Sequence, residues 1–383
     1  MKAFKFKIHN PKKVVTQKFE HTLNLCRELY NSALRERIDA YKIAHTSLNY
    51  FDQANQLSEI KECRSEFCNI HSQVLQDVLK RLDKTFKAFF GRIKRSEKAG
   101  FPRFKGKNFF DSFTFPQTGF KLDGNILTLS KIGKVKLKLS QNVVGKVKTC
   151  TIKREVFGWF VIFTVENDKE LLPKTGKSIG IDAGIESFMT LSDGEQIENF
   201  KFFESSQKAL RVAQRNVSRK RKGSNSRKKA VVKLRKVHAK IKNQRNDFAH
   251  KLSTQLVEKY DVIAIEDLNI KGMSRGILAK QINDAGWNSF FQKLTYKAEN
   301  AGKKLIKVNP NGTSQTCICG HREKKPLAQR QHNCLKCGYS NHRDIVSAQI
   351  ILNRAVGQTV EASTWNISSC VASESPPIIG FVI

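Results

Sequence analysis

Acid is in short supply in this chain. Its 383 residues carry 34 Asp and Glu against 69 Lys and Arg, a formal net charge of +35 with a pI near 10.0. A surplus of that size repels itself unless a polyanion neutralises it, so nucleic acid is the first candidate partner. Long apolar runs are missing as well. No stretch of 18 apolar residues occurs, and the opening MKAFKFKIHNPKK has no apolar core of leader-peptide length, which tells against a membrane span or a secretory signal. The expectation is a soluble, cytoplasmic protein of prokaryotic, nucleoid-associated type with no membrane partner. There is no internal repeat. What is present suffices for a core: 39% of residues are hydrophobic, 26 of them Phe, which suits two or three folded domains rather than a basic tail. Nine cysteines in a reducing compartment do not read as a disulfide framework, and four of them fall between residues 317 and 337, which points to a metal.

The chain opens with a strand-like run, Lys2 to His9, in which Phe4 and Phe6 alternate with lysines. Helical spacing follows twice, in Phe19, Leu23, Cys26 and Tyr30 and again in Leu75, Leu79, Leu82, Phe86, Phe89 and Ile93, with Ser72 as the cap of the second set. Gly100 to Pro102 breaks that helix, and Phe101 to Phe115 interleaves aromatics with Arg103, Lys105 and Lys107. From Phe113 to Glu166 the pattern is β: Lys134 to Leu139 alternates strictly and Trp159 to Val165 is a dense β-branched and aromatic run. These strands fit an ordinary half-polar sheet or one that faces nucleic acid.

A linker from Pro173 to Lys177 leads to Ile179–Gly184 and a hairpin closed by Asp193 and Gly194. Residues 201–245 then hold 17 Lys or Arg and a single acid, Glu204. They read as two helices joined at Gly223 to Ser226, with Leu234, Val237 and Ile241, then Phe248 and Leu252, turned to the core. A merely solvated helix face would mix signs, so a face of nearly one sign predicts phosphate contact. Arg219, Lys220, Arg221, Lys222, Arg227, Lys228 and Lys229 are the candidate contacts there, beside Arg103 and Lys105. A buried strand, Val262 to Ile265, ends at Glu266, and a helix from Trp287, a strand from Leu305 to Val308 and a helix from Arg343 to Ala355 follow. Residues 358–383 carry little pattern and are expected to be a disordered tail.

Three acids, Asp182, Glu266 and Asp344, sit at element ends, where neighbouring strands of an α/β sheet converge. Such carboxylates repel and take up protons unless a cation neutralises them, and hard oxygen ligands of this kind suit Mg²⁺ or Mn²⁺. Taken singly each has another reading. The GIDAG run also resembles the opening of actin-like ATPases, although no later glycine-rich phosphate loop follows. Glu266 could merely end a buried strand in a polar turn, and Asp344 could be a first-turn acid favoured by the helix dipole. The cysteines are arranged as Cys317-x-Cys319 and, 14 residues on, Cys334-x-x-Cys337, two knuckles suited to one tetrahedral Zn²⁺. The first is a residue short, so His321 or His332 is a candidate to replace a thiolate.

With these residues in hand, the chain resembles the TnpB family, transposon-encoded RNA-guided DNA nucleases related to type V CRISPR effectors. Leu23–Asn31 and His71–Leu79 look like its recognition lobe, and Gly100–Lys105 with Ser112–Pro116 like its wedge. Gly180–Gly184, Ile265–Asn269 and His342–Asp344 are similar to its three split RuvC motifs, and Thr313–Cys317 with Cys334–Gly338 to its zinc insert. The resemblance implies an α/β multidomain fold. It comprises wedge at 1–14, helical recognition domain at 15–100, wedge again at 101–173, RNase H-like RuvC nuclease at 174–312, zinc-ribbon target-nucleic-acid-binding insert at 313–340, nuclease again at 341–357, and the tail. It further implies a guide RNA, a double-stranded DNA target, action as a monomer with that RNA, and two Mg²⁺ ions bridged by Asp182 and flanked by Glu266 and Asp344, with Arg343 a candidate to stabilise the phosphorane. The chain departs from the family at His342, where Asp is usual, at Val346, where Asn is usual, and in the short first knuckle. A nuclease-dead guided repressor and a guide-free RuvC-type resolvase or transposase are the alternatives.

Overall fold

The structure, a computed structural model, describes residues 1–107, 109–166, 171–326 and 329–357. The expected tail, with Cys370 in it, lies outside them. Two compact units divide the chain, Met1–Asp168 and Lys169–Ile383.

In the first unit, β1 (Lys2–Ile8) buries Phe4, Phe6 and Ile8 and exposes the lysines between them, as the two-residue strand period requires. Four helices follow, α1 (Lys13–Ala44), α2 (Tyr50–Asn55), α3 (Leu57–Cys63) and α4 (Ser72–Lys94). Then come β2 (Ser112–Phe115), β3 (Phe120–Asp123), β4 (Ile126–Leu129), β5 (Gly133–Lys138), β6 (Lys146–Glu155) and β7 (Gly158–Glu166). The strands form one antiparallel sheet in the order β2-β6-β7-β1-β5-β4-β3, with Phe4 opposite Phe163. Phe19 and Leu23 of α1 and Leu75, Leu79 and Leu82 of α4 share a single core with Phe6, Phe113 and Phe163 of the sheet. The expected cap of α4 is corrected. Ser72 is the first helical residue, the N-cap is His71 without a side-chain cap bond, and the Ser72 hydroxyl accepts from Lys61 Nζ at 2.8 Å.

The second unit is built on β8 (Ser178–Asp182), β9 (Ser187–Leu191) and β10 (Gln196–Glu198), then α5 (Phe202–Ser218), α6 (Asn225–Lys259), β11 (Val262–Glu266), α7 (Ile270–Met273), α8 (Ala279–Ala285), α9 (Trp287–Ala301) and β12 (Lys304–Val308). A small ribbon, β13 (Gln331–Asn333) and β14 (Ser340–His342), precedes α10 (Arg343–Gly357). The five-stranded sheet runs β10-β9-β8-β11-β12, with β8, β11 and β12 parallel and the β9 and β10 side antiparallel. Alternation assigns its faces. Ile179, Ile181, Ile263 and Ile265 pack against Leu252 and Leu256 of α6 and Phe290 and Leu294 of α9, while Ala264 and Val308 meet Ile351, Leu352 and Ala355 of α10 on the other side.

Helix α10 lies so close to β8 that only glycine fits at 180. A Cβ there would come within 2.0 Å of the Ala348 carbonyl oxygen and 2.9 Å of the Leu352 backbone nitrogen, neither of which can swing aside. Gly180→Ala is therefore expected to destabilise this unit by about 3 kcal/mol, the overpacking range. Urea unfolding followed by tryptophan fluorescence checks this through Trp287, fully buried in this core with its indole N–H on the Phe188 carbonyl. An unchanged midpoint would mean that α10 sits elsewhere.

Candidate functional site

Register brings the first two acids together. Ile265 of β11 lies opposite Ile181 of β8, so the next residues, Glu266 and Asp182, end their parallel strands side by side. Parallel neighbours about 4.8 Å apart send side chains at one level to the same face, here the face that carries α10. Asp182 follows Gly180 by one strand period, and Asp344 precedes Ala348 by about one helical turn. The close Gly180 to Ala348 contact thus seats the first turn of α10, with Asp344, beside the ends of both strands.

The electrostatics show that Asp182 senses the other two acids. Asp182 is pushed up to about 8, by burial first and then by the negative charges of Glu266 and Asp344, with Arg343 and the Ala183 backbone opposing. Burial also raises Glu266, against a hydrogen bond from Thr313 and the charge of Arg354. Thr313 Oγ1 stands 2.5 Å from Glu266 Oε1 and 3.1 Å from the Pro310 carbonyl. Arg330 bridges Glu186, at 2.6 Å, and Asp344, at 3.8 Å. Sequence reasoning assigned no role to Thr313 or Arg330, because only the folded chain sets the strand end against the start of the insert. Arg343, expected as a candidate at the reacting phosphate, is instead buried and donates to the Pro326 and Gln329 carbonyls, 3.1 and 3.3 Å away. Its guanidinium fastens the insert and lends Asp182 positive charge from the side.

The four cysteines converge more tightly than the acids. Their sulfur atoms all lie within 4.8 Å of one another, the one such group of metal-ligating side chains among the described residues, and the three carboxylates are spaced more widely. Cys317 and Cys337 sulfurs are 3.7 Å apart and Cys319 and Cys334 sulfurs 3.6 Å apart. A tetrahedron with Zn–S bonds of about 2.3 Å has edges of about 3.8 Å, so the thiols already hold the spacing zinc requires. Neither His321 nor His332 belongs to the group. The short knuckle closes through a tight turn in which Gly320 N–H donates to the Cys317 carbonyl at 2.9 Å, Cys317 N–H donates to the His321 carbonyl at 2.8 Å, and Gly320 adopts a φ of 83°. In the second knuckle Gly338 N–H donates to the Cys334 carbonyl and Cys334 N–H to that of Tyr339. Desolvation would raise the Cys334 thiol, yet the Cys337 and Lys336 backbone N–H groups and the neighbouring thiols hold it down at about 6, so it is the thiol readiest to lose its proton to a metal.

The basic residues fall in two places. Arg219, Lys220, Arg221, Lys222, Arg227, Lys228 and Lys229 gather at the tip of the α5–α6 hairpin, with Lys220 and Arg227 half-buried and the rest exposed. In the first unit Arg103 is exposed, whereas Lys105 is committed to α1: its backbone exchanges hydrogen bonds with the Asn31 side chain at 2.7 and 3.0 Å, and its Nζ lies 5.7 Å over the Tyr30 ring.

A mixed α/β unit with convergent strand-end acids, a four-thiol insert and a cationic helical hairpin defines a nucleic-acid-processing class of protein. Family models match residues 162–276 (probable transposase), 287–351 (Cas12f1-like, TNB domain) and 1–45 (helix-turn-helix domain). In the last range the structure forms a strand and one 32-residue helix. The chain is 32% identical to a putative RNA-guided DNA endonuclease, InsQ, of Escherichia coli, over 94% of each chain. It is 35% identical to a putative RNA-guided DNA endonuclease of Streptomyces pristinaespiralis, over 92% of this chain and 88% of that one. The chain belongs to the TnpB family. Among solved structures, Cas12f1 in complex with sgRNA and target DNA matches its fold with a TM-score of 0.60 at 15% identity, covering 89% of this chain and 83% of that one. The mini-RNA-guided endonuclease Cas_phi3 matches at 0.54 and 10%, covering 92% of each.

Proposed function

We propose that this chain is a transposon-associated, RNA-guided DNA endonuclease in which Asp182, Glu266 and Asp344 form the hydrolytic centre of an RNase H-like RuvC domain. The observation that carries it is the meeting of the three acids at one sheet edge, where burial first and then the charges of Glu266 and Asp344 push Asp182 up to about 8. The donor set, three carboxylates with half-open surroundings, fits Mg²⁺ or Mn²⁺. When bound, such ions supply Lewis-acid activation of water and neutralise the scissile phosphate. The chain's own part is to fix geometry: Gly180 seats α10, Thr313 holds Glu266, and Arg330 steadies Asp344. The thiol cluster holds Zn²⁺ and organises the insert before α10. The sheet of the first unit serves as the wedge and its helices as the recognition part, and the cationic α5–α6 hairpin grips phosphates of an RNA–DNA duplex by shape. If about ten phosphates are neutralised, affinity falls with a log–log salt slope of roughly −9.

The test is direct. Gently purified protein should carry RNA that maps beside its own gene, and with that RNA it should nick a matching plasmid only when a divalent cation is present. RNA without nicking would make it a guided repressor. Nicking without RNA would make it a guide-free nuclease.

Proton competition gives a second expected outcome. Because Asp182 is raised, its proton must leave before a cation binds, so Mg²⁺ affinity should drop roughly tenfold per pH unit below 8. The sign for the metal-free protein follows from the same shift. A carboxyl raised above its unfolded value contributes stability present below about 4 that is lost as pH rises through about 8. Melting curves at pH 6 and pH 8 should therefore show the larger Mg²⁺-induced rise at pH 8.

A further inference from the structure

On the face of the second unit's sheet opposite the three acids, α6, α8, the loop leading into α5 and the start of α9 line a cavity of about 480 Å³, inside the roughly 300–1,000 Å³ range of small-ligand sites. Its chemistry is unusual for a surface hollow. Phe200, 51% exposed, stands at the mouth, stacked on Phe202 at 5.6 Å and edge-on to Phe248 at 5.2 Å. Lys242 and Lys280 are exposed on its rim. Asp284 is the one acid on its walls, and its charge is already used: it accepts from Arg245 at 2.6 Å and from the Phe203 and Glu204 backbone N–H groups at 2.8 and 3.1 Å. Of the three amides on the lining, Asn199 is engaged at both ends, donating to the Ile185 carbonyl at 2.8 Å and accepting from the Lys201 N–H at 3.3 Å, and the other two make opposite offers. The Asn246 carbonyl accepts from Lys293 at 3.3 Å, leaving its NH₂ as the donor for a guest, while the Asn283 NH₂ donates to the Ala279 carbonyl at 2.7 Å, leaving its oxygen as the acceptor.

We infer that this cavity binds one unpaired nucleotide of the RNA the protein carries, an inference that rests on the guided-nuclease reading above. The base stacks on Phe200, its edge meets Asn246 and Asn283, and its flanking phosphates meet Lys242 and Lys280. RNA is favoured because proteins read it chiefly through unpaired bases that are splayed out, stacked on aromatic rings and bonded at their edges, whereas a duplex offers only its backbone.

The probe is a mixed-sequence single-stranded RNA containing 4-thiouridine, offered to the full chain beside its own blunt duplex and a single-stranded DNA of the same sequence. Crosslinks are expected in peptides covering 199–203 and 242–249. Phe200→Ala should weaken single-stranded RNA binding about tenfold and leave duplex binding unchanged, while Phe200→Trp should restore it, an outcome that loss of fold would not produce. Equal RNA affinity in wild type and Phe200→Ala would overturn the pocket and spare the guided reading. A loss confined to the DNA strand would overturn the assignment to RNA. Wild-type protein that binds no RNA would bring down both.

Discussion

Asp182→Ala should abolish divalent-dependent nicking, a loss of about 10³-fold or more for the several kcal/mol that a phosphoryl-transfer metal centre supplies, while the variant still retains its RNA. Asp182 ends the strand that α10 covers, and beside burial the charges of Glu266 and Asp344 raise its pKa, so it faces both of its companions. Asp182→Asn makes the inference sharper. The amide removes a buried like charge without changing shape, so at pH 8 and without divalent ions the Asn variant should melt above wild type while being inactive, the signature of a group kept for function at a cost in stability. The measurement is a pair of melting curves beside a plasmid nicking assay. A variant that melts lower than wild type at pH 8, or that nicks normally, would remove Asp182 from the centre.

Much of the molecule is legible in the chain because local pattern and burial agree. The alternation of Phe4, Phe6 and Ile8 with lysines can be satisfied only by a strand with one buried face, and Leu75, Leu79 and Leu82 can share a core only on a helix. Two of the three parallel strands, β8 and β11, are marked by short apolar runs ending in acid. What stayed hidden depends on long-range register. The hydroxyl of Thr313 reaches Glu266 from 47 positions away, and the guanidinium of Arg343 donates to the insert's carbonyls while its charge is still felt by Asp182. The steric demand at Gly180 exists only because Ala348 is laid on it. The short first knuckle is the instructive case: counting residues suggested a histidine substitute, but a left-handed Gly320 tightens the turn by one residue and brings Cys319 round to the other thiols.

On the proposed reading that knuckle ties a zinc site to the three acids, and removing one of its thiols should therefore cost more than local order. Cys337→Ser takes a thiolate from a site whose binding free energy, about 10–16 kcal/mol in small zinc modules, is also folding free energy. Besides the thiols, the insert's described residues are held by a pair of three-residue strands, a one-turn helix that starts at Thr313, and polar ties of Arg343 to the Pro326 and Gln329 carbonyls and of Tyr339 to Gln349. Once it loosens, Thr313 leaves Glu266, whose carboxylate then has no donor fixing it against the charge of Asp182. Outer contacts of this kind are worth roughly 10–100-fold in metal affinity or activity. The serine variant should thus bind less than about a tenth of an equivalent of zinc by atomic absorption, become open to proteolysis between residues 310 and 342, and lose at least tenfold in nicking. Thr313→Ala isolates the link, since it leaves the four thiols in place: zinc content should stay at one per chain while Mn²⁺ affinity, read by electron paramagnetic resonance, falls within the same 10–100-fold window, and Thr313→Ser, which keeps the hydroxyl, should recover it. Zinc-free protein that binds Mn²⁺ as wild type does would show that the insert and the acids act independently.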